Sequence, residues 1–167
     1  MKVKLIPIQR DDTKQIDWLY DFISSHHSLP KFMQPSKTNL RNPDFHYFKA
    51  IAVEPKKFES KLIGITCYEK RTLYLAETQK TIIEPEFRGQ GWGKVLSNAI
   101  EEEVKKAGFH KIRSCIYTDN IAMIQIKLMQ GYTIEGFHPD HDGPGYHEYS
   151  LGKVLGNKSG KDAKKKP

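Results

Sequence analysis

A chain of 167 residues is long enough for one domain whose core buries well over half of the unfolded surface, and it leaves no room for a second. With 38% hydrophobic and 28% charged residues the composition is ordinary for a soluble globular protein, and no apolar run approaches the ~20 residues that span a bilayer, which excludes a helical membrane protein. The formal charge of +7 is unevenly placed: after Asn157 the tail holds five lysines and one aspartate, a local +4, so the body keeps only +3.

That surplus helps attract an anionic ligand such as a cofactor and could equally give weak affinity for nucleic acid or ribosomes, but no nucleic-acid partner is expected. The tail itself reads as a solvated, disordered segment. The start, Met1 to Pro7, is basic but lacks an apolar signal region and a small-residue cleavage site, so the expected location is the cytoplasm. Cys67 and Cys115 lie in strand-like runs and read as small buried hydrophobes, not as a disulfide or metal pair.

In chain order, residues 3–9 read as a first strand. Asp11-Asp12-Thr13 supplies an N-cap before Ile16, Leu19, Tyr20 and Ile23, whose i, i+3, i+4, i+7 spacing predicts an amphipathic helix ending near Ser24. Residues 25–42 read as an irregular loop with one helical turn, and the adjacent His26 and His27 as surface or pocket lining. Strands are expected at 46–53, 61–70 and 73–83. A polar, proline-containing stretch (54–60) separates the first two and a tight Arg71-Thr72 connection the last two, as in an antiparallel meander. Trp92, Val95, Leu96, Ala99, Ile100 and Val104 line one face of a long helix that stops at Lys105-Lys106-Ala107-Gly108. A strand at 110–117, parallel to the one before the helix, follows; Asp119-Asn120 then caps a second helix that runs to Gln130 and stops at Gly131. The last strands, 132–137 and 146–151, are joined by a turn-rich connection.

Between the third meander strand and the long helix lies Phe87-Arg88-Gly89-Gln90-Gly91-Trp92-Gly93-Lys94. A glycine turn opening a helix is an anion site, because unpaired N–H groups and the positive end of the helix dipole converge there. A Walker loop would need Gly at Arg88 and Ser or Thr at Val95; a dinucleotide fingerprint would need its third Gly one residue later and a carboxylate in the next strand. Neither fits.

Arg88, Gly91 and Gly93 instead match Arg/Gln-x-x-Gly-x-Gly/Ala, which resembles the pyrophosphate loop of the GNAT superfamily of acyl-CoA-dependent N-acyltransferases, and Ile83-Glu84-Pro85-Glu86-Phe87 is similar to that family's preceding strand end. The order of elements from residue 3 to 153 also resembles that fold. The resemblance implies an α/β (α+β) architecture, with a mixed, mostly antiparallel central sheet and helices on both faces. It implies one domain over residues 1–155 and a basic tail over 156–167.

The resemblance further implies acetyl-CoA as the donor. Its diphosphate would lie on Arg88, Gly89, Gln90, Gly91, Trp92, Gly93 and Lys94, its pantetheine arm on the backbone near Ile82 and Ile83, and Asn120 would match the asparagine of the second motif. Trp92 and Lys94 could reach the adenine or ribose end, Trp92 equally being core. The implied reaction moves an acetyl group to a primary amine of a small molecule or peptide by direct attack in a ternary complex. An alkyl ammonium of pKa about 10 must first lose a proton. Glu77 is the candidate base, against a solvent-facing strand glutamate, with His138 or Glu148 as alternatives.

Where many relatives carry a tyrosine that protonates the departing thiolate, this chain has Lys127. It could take that role, but the reading adopted from sequence is a solvated helix residue. His138, His141 and His147 with Asp140 and Asp142 match no closed metal site, and no metal is expected. A GNAT-fold sensor that binds acyl-CoA without turnover is the competing function, and a ribosome- or nucleic-acid-associated protein a third, resting on the tail alone. No membrane partner is expected, and homodimerisation is left open.

Overall fold

The computed structural model of the chain describes residues 2–26, 35–53 and 60–156. The expectations for His27, the adjoining part of the loop, most of the stretch 54–60 and the lysine tail lie outside the described residues.

A first strand β1 (Val3–Pro7) leads into helix α1 (Thr13–His26) and a single turn α2 (Lys37–Leu40). Strands β2 (Phe45–Val53), β3 (Ser60–Lys70) and β4 (Leu75–Ile83) follow, then a 3-10 turn (Pro85–Phe87) and helix α3 (Trp92–Lys106). Strand β5 (Lys111–Tyr117), helix α4 (Ile121–Met129) and strands β6 (Thr133–His138) and β7 (Glu148–Val154) complete the fold. All seven strands form one sheet in the order β1-β2-β3-β4-β5-β7-β6. Every neighbouring pair is antiparallel except β4 and β5, so the sheet is mixed as expected.

Helix α1 starts where the Asp12 carboxylate accepts the N–H groups of Lys14 and Gln15, and it runs two residues beyond the expected end. Its buried stripe, Ile16, Leu19, Phe22 and Ile23, packs with Tyr47, Ile65, Cys67 and Ile82. On the opposite face Ile100 and Val104 of α3 and Ile124 of α4 pack with Ala76, Ile112, Ile116 and Leu151. Leu96, Ile100 and Val104 are at most 1% exposed. At ~1.5–3 kcal/mol for each buried side chain, these three alone contribute roughly 5–9 kcal/mol to holding α3 on the sheet, and that fixes where its N-terminus points.

Two strands begin two residues later than expected. Strand β4 begins at Leu75 and not at Leu73, because the Arg71 and Thr72 N–H groups both donate to the Leu75 carbonyl while Thr72 Oγ1 accepts from Tyr74 and Leu75 N–H. This side-chain-closed turn leaves Leu73 and Tyr74 exposed. Strand β7 begins at Glu148, since Tyr146 is held in the preceding turn by its N–H to Gly143 and its carbonyl from His141.

Candidate active site

Strands β4 and β5 pair only from Leu75–Thr78 against Lys111–Ser114. The ladder then stops, while β5 continues along β7 to Tyr117. The cause lies in the β3–β4 register. Tyr68 faces Thr78 but Thr66 faces Thr81, so Gln79 and Lys80 together oppose Cys67. Such a bulge bends its strand and turns it from its neighbour. The point of divergence is pinned by two buried hydroxyls, Thr78 Oγ1 donating to Ser114 Oγ at 2.8 Å. Beyond it the backbone from Gln79 to Ile83 has no strand partner on its β5 side, and buried backbone groups require one.

The gap is a cleft of about 360 Å³. One wall is Thr78 to Thr81 of β4, the other Ser114 to Tyr117 of β5. Its floor is Ser97 and Ile100 of α3 with Met123 and Lys127 of α4, and Asn120, Asp142 and Glu148 stand around it.

At the end of β4 the chain enters the glycine loop. Gly89 and Gly91 take φ of 72° and 82°, the left-handed region that side chains other than Gly rarely adopt. Gly91 is the N-cap of α3 and provides no side-chain cap, which leaves the first N–H groups of a 15-residue helix open to a ligand. Arg88, Gly89, Gln90, Gly91 and Lys94 are exposed there. The Arg88 Nε donates to the Ile83 carbonyl at 3.0 Å, and Gln90 Nε2 to the Glu86 carbonyl at 2.6 Å. Gly93 faces Ile126, Ile83 and Met123 across the α3–α4 contact. Trp92 is in the core, packed with Ala50, Ala52, Ile63 and Leu96 and edge-on to Phe87. Ile82 is buried and Ile83 half-buried. Asn120 Oδ1 accepts the Met123 N–H, capping α4 at the cleft.

The carboxylates separate into two kinds. Glu77 is 6% exposed and paired with Arg113 of β5, while its second oxygen accepts from Gln79 Nε2 at 2.8 Å. It does not line the cleft. Glu148, on the same sheet face, does. It is 8% exposed, and among the described residues its carboxylate has no hydrogen bond; its nearest basic group is His141, 3.9 Å away. Burial raises its pKa above the usual carboxylate value, and Asp142 and Glu77 add to this while His141 opposes it. Asp142 accepts the Tyr117 hydroxyl at 2.6 Å. His138 is the cross-strand partner of Glu148, and its ring lies 5.5 Å from that of His141.

Lys127 departs from the sequence reading. It is not solvated but 3% exposed, because it lies three residues after Ile124 and four after Met123 on the face of α4 that meets the sheet. That spacing was the signal available. Its ammonium lies 4.6 Å above the Tyr132 ring, and among the described residues no carboxylate pairs with it. Burial pushes its pKa down to about 8, against the pull of Glu101 and with the push of Lys153. Both cysteines are free thiols; Cys67 is fully buried, and Cys115, half-buried on the cleft wall, is raised by burial to about 11 and is no nucleophile at neutral pH. Among the described residues no three His, Cys, Asp or Glu side chains converge as a metal site, and no helix is long and apolar enough to cross a membrane.

The sequence profile described as the acetyltransferase (GNAT) family matches residues 11–130. No curated protein matches the chain. Among solved structures, the spermidine/spermine N-acetyltransferase SpeG from Vibrio cholerae is similar at TM-score 0.68 and 18% identity, covering 91% of this chain and 93% of that one. The ribosomal-protein-S18-alanine N-acetyltransferase from Escherichia coli is similar at 0.69 and 14%, over 95% and 98%. An aminoglycoside 6'-acetyltransferase type Ii is similar at 0.65 and 20%, over 94% and 99%. At these identities the likeness is one of fold.

Proposed function

The chain belongs to the acetyltransferase (GNAT) family, and from that premise we propose that it transfers an acetyl group from acetyl-CoA to a cationic primary amine bound in the same complex. The observation that carries this reading is the open edge of β4 from Gln79 to Ile83, which ends in the uncapped glycine turn of α3. The two features fit an extended amide-bearing arm that terminates in a diphosphate. The backbone of β4 would pair with the arm as a strand does, and the N–H groups after Gly89 and Gly91, with the helix dipole, would hold the phosphates. Arg88 and Lys94 add positive charge at that end, and Asn120 lines the arm's path.

Acetyl-CoA supplies an acyl carbon activated as a thioester. The amine is ammonium at neutral pH and must lose a proton. Glu148 is assigned to take it: it lines the cleft, is free of hydrogen bonds among the described residues and is raised toward neutrality by burial. Glu77, with both oxygens engaged, holds Arg113 in place instead. Glu148 and Asp142 together make the acceptor end acidic, which suits a cation. The three solved neighbours, named for spermidine or spermine, an aminoglycoside and a ribosomal-protein alanine, likewise have amine acceptors.

Incubation with acetyl-CoA and a panel of primary amines, read as free thiol release, tests the proposal. Turnover with cationic amines is expected. Binding of acetyl-CoA with no turnover across the panel would replace it with the sensor reading.

A further inference from the structure

Two carboxylates stand at the acceptor end of the cleft with no cation between them. Glu148, the first residue of β7, is 8% exposed and lines the cleft. Among the described residues it has no hydrogen bond, and its one basic neighbour within ion-pair distance is the His141 imidazole, 3.9 Å away. Tyr117 is its cross-strand partner on β5, so the two side chains rise side by side from one sheet face. The Tyr117 hydroxyl donates to Asp142 Oδ2 at 2.6 Å. Asp142 therefore stands at the tip of the tyrosine whose root lies beside Glu148, and all three residues line the cleft. No Lys or Arg among the described residues pairs with either carboxylate, and the charge of Asp142 adds to the upward push on the Glu148 pKa. Two facing negative charges without a counter-charge are costly, and a ligand with two cations relieves both.

The connection that carries Asp142 is locked in place. Asp140 takes a φ of 50°, its Oδ1 accepts the Gly145 N–H at 2.7 Å, and its own N–H donates to His147 Nδ1 at 3.0 Å. A non-glycine residue stays in the left-handed region only where its surroundings over-determine it. The His141 N–H donates to the Tyr146 carbonyl at 2.9 Å, and the Tyr146 ring stands 5.9 Å from that of Tyr117. Carboxylate, aromatic wall and carboxylate in sequence complement two ammonium groups joined by methylenes, since the chain lies on the rings while each end pairs with an acid. From this arrangement, and resting on the acetyltransferase reading, we infer that the acceptor is a short aliphatic diamine, held with one ammonium on Glu148 and the other on Asp142. The nitrogen at Glu148, the deeper of the two acids, is the one that reacts. It gives one proton to Glu148 and bonds to the acyl carbon. The C–S bond breaks, its electron pair passes to sulfur, and the second proton shed by the nitrogen ends on that sulfur as a thiol. The ammonium at Asp142 keeps its proton and its charge. The product is a monoacetylated monocation that makes only one of the two ionic contacts, which renders it a poorer acceptor than the diamine.

Steady-state kinetics with acetyl-CoA, read as thiol release, test the assignment by comparing butylamine with the α,ω-diamine of the same chain length. Both are run on the wild type and on Asp142→Asn, whose amide oxygen still accepts the Tyr117 hydroxyl. In the wild type kcat/KM should favour the diamine by roughly 10- to 100-fold, the size expected of a hydrogen bond between charged groups, and chiefly through KM. Asp142→Asn should reduce that preference to within about threefold, and rising salt should narrow it in the wild type. Mass spectrometry should find one acetyl group per diamine for as long as unreacted diamine remains. Equal kcat/KM for the two amines in the wild type would overturn the inference, and so would a preference that Asp142→Asn retains in full. In both of those cases the amines still turn over and the acetyltransferase reading stands. Binding of acetyl-CoA without thiol release in the presence of either amine would overturn that reading, and this inference with it.

Discussion

Replacing Lys127 by Met should stabilise the protein. The ammonium is depressed from its ordinary 10.5 to about 8 chiefly by burial. At ~1.4 kcal/mol per pKa unit, the fold pays about 3 kcal/mol to keep it charged at neutral pH. Methionine fills a similar volume without that penalty, so the gain approaches this figure, or roughly 6–12 °C in Tm for a domain of this size. The sign with pH follows from proton counts. Below pH 8 both states carry the charge and the penalty is complete. Between about 8 and 10.5 the unfolded chain holds the proton and the folded one does not, so wild-type stability rises with pH through that window relative to the variant. Above it the difference vanishes. Urea unfolding of both proteins at pH 7, 9 and 10.5 measures this. A variant less stable than wild type at pH 7, with a difference that does not shrink with pH, would show that the ammonium is paired in the native state.

Three further outcomes are expected. Glu148→Gln should lower kcat by roughly 100- to 10,000-fold with the fold intact, and the acidic limb of the wild-type profile should lie above the ordinary carboxylate value, because burial and Asp142 raise this base; a pH–rate comparison checks both. Glu77→Gln should do the reverse, leaving kcat within about tenfold but costing roughly 1–3 kcal/mol by stranding the partly solvated Arg113, as read by chemical denaturation. Gly64→Ala puts a Cβ into the Ile82 carbonyl oxygen, so thermal unfolding should show a loss of about 2–3 kcal/mol, and the disturbed β3–β4 edge should weaken acetyl-CoA binding.

Local signals carried most of the fold. The face of α3 was legible because Leu96, Ile100 and Val104 recur at helical spacing over a polar background, and the turn before it because Gly89 and Gly91 have little reason to precede a helix unless the backbone must turn left-handed. The extent of β4 was not, since the Thr72 hydroxyl competes for the N–H groups that a strand would have used. The bulge at Gln79 and Lys80 that opens the cleft leaves no mark on a single strand, because it is a mismatch between two. For the same reason the Glu77–Arg113 pair was hidden: it depends on the parallel register of strands separated by a helix. Lys127 misled because lysine is usually exposed, although its spacing from Met123 and Ile124 pointed inward.

The claim that β4 and the glycine turn form one acyl-CoA site is tested most directly by calorimetric titration with acetyl-CoA of the wild type and of Arg88→Glu combined with Gly91→Asp. The double variant places two carboxylates at the exposed N-terminus of α3, one of them on a residue whose φ of 82° suits glycine. Saturable binding by the wild type, weakened roughly tenfold or more in the variant, is the predicted result. Equal affinity in the two proteins would contradict a phosphate site at the turn, and no binding by the wild type would contradict the site altogether.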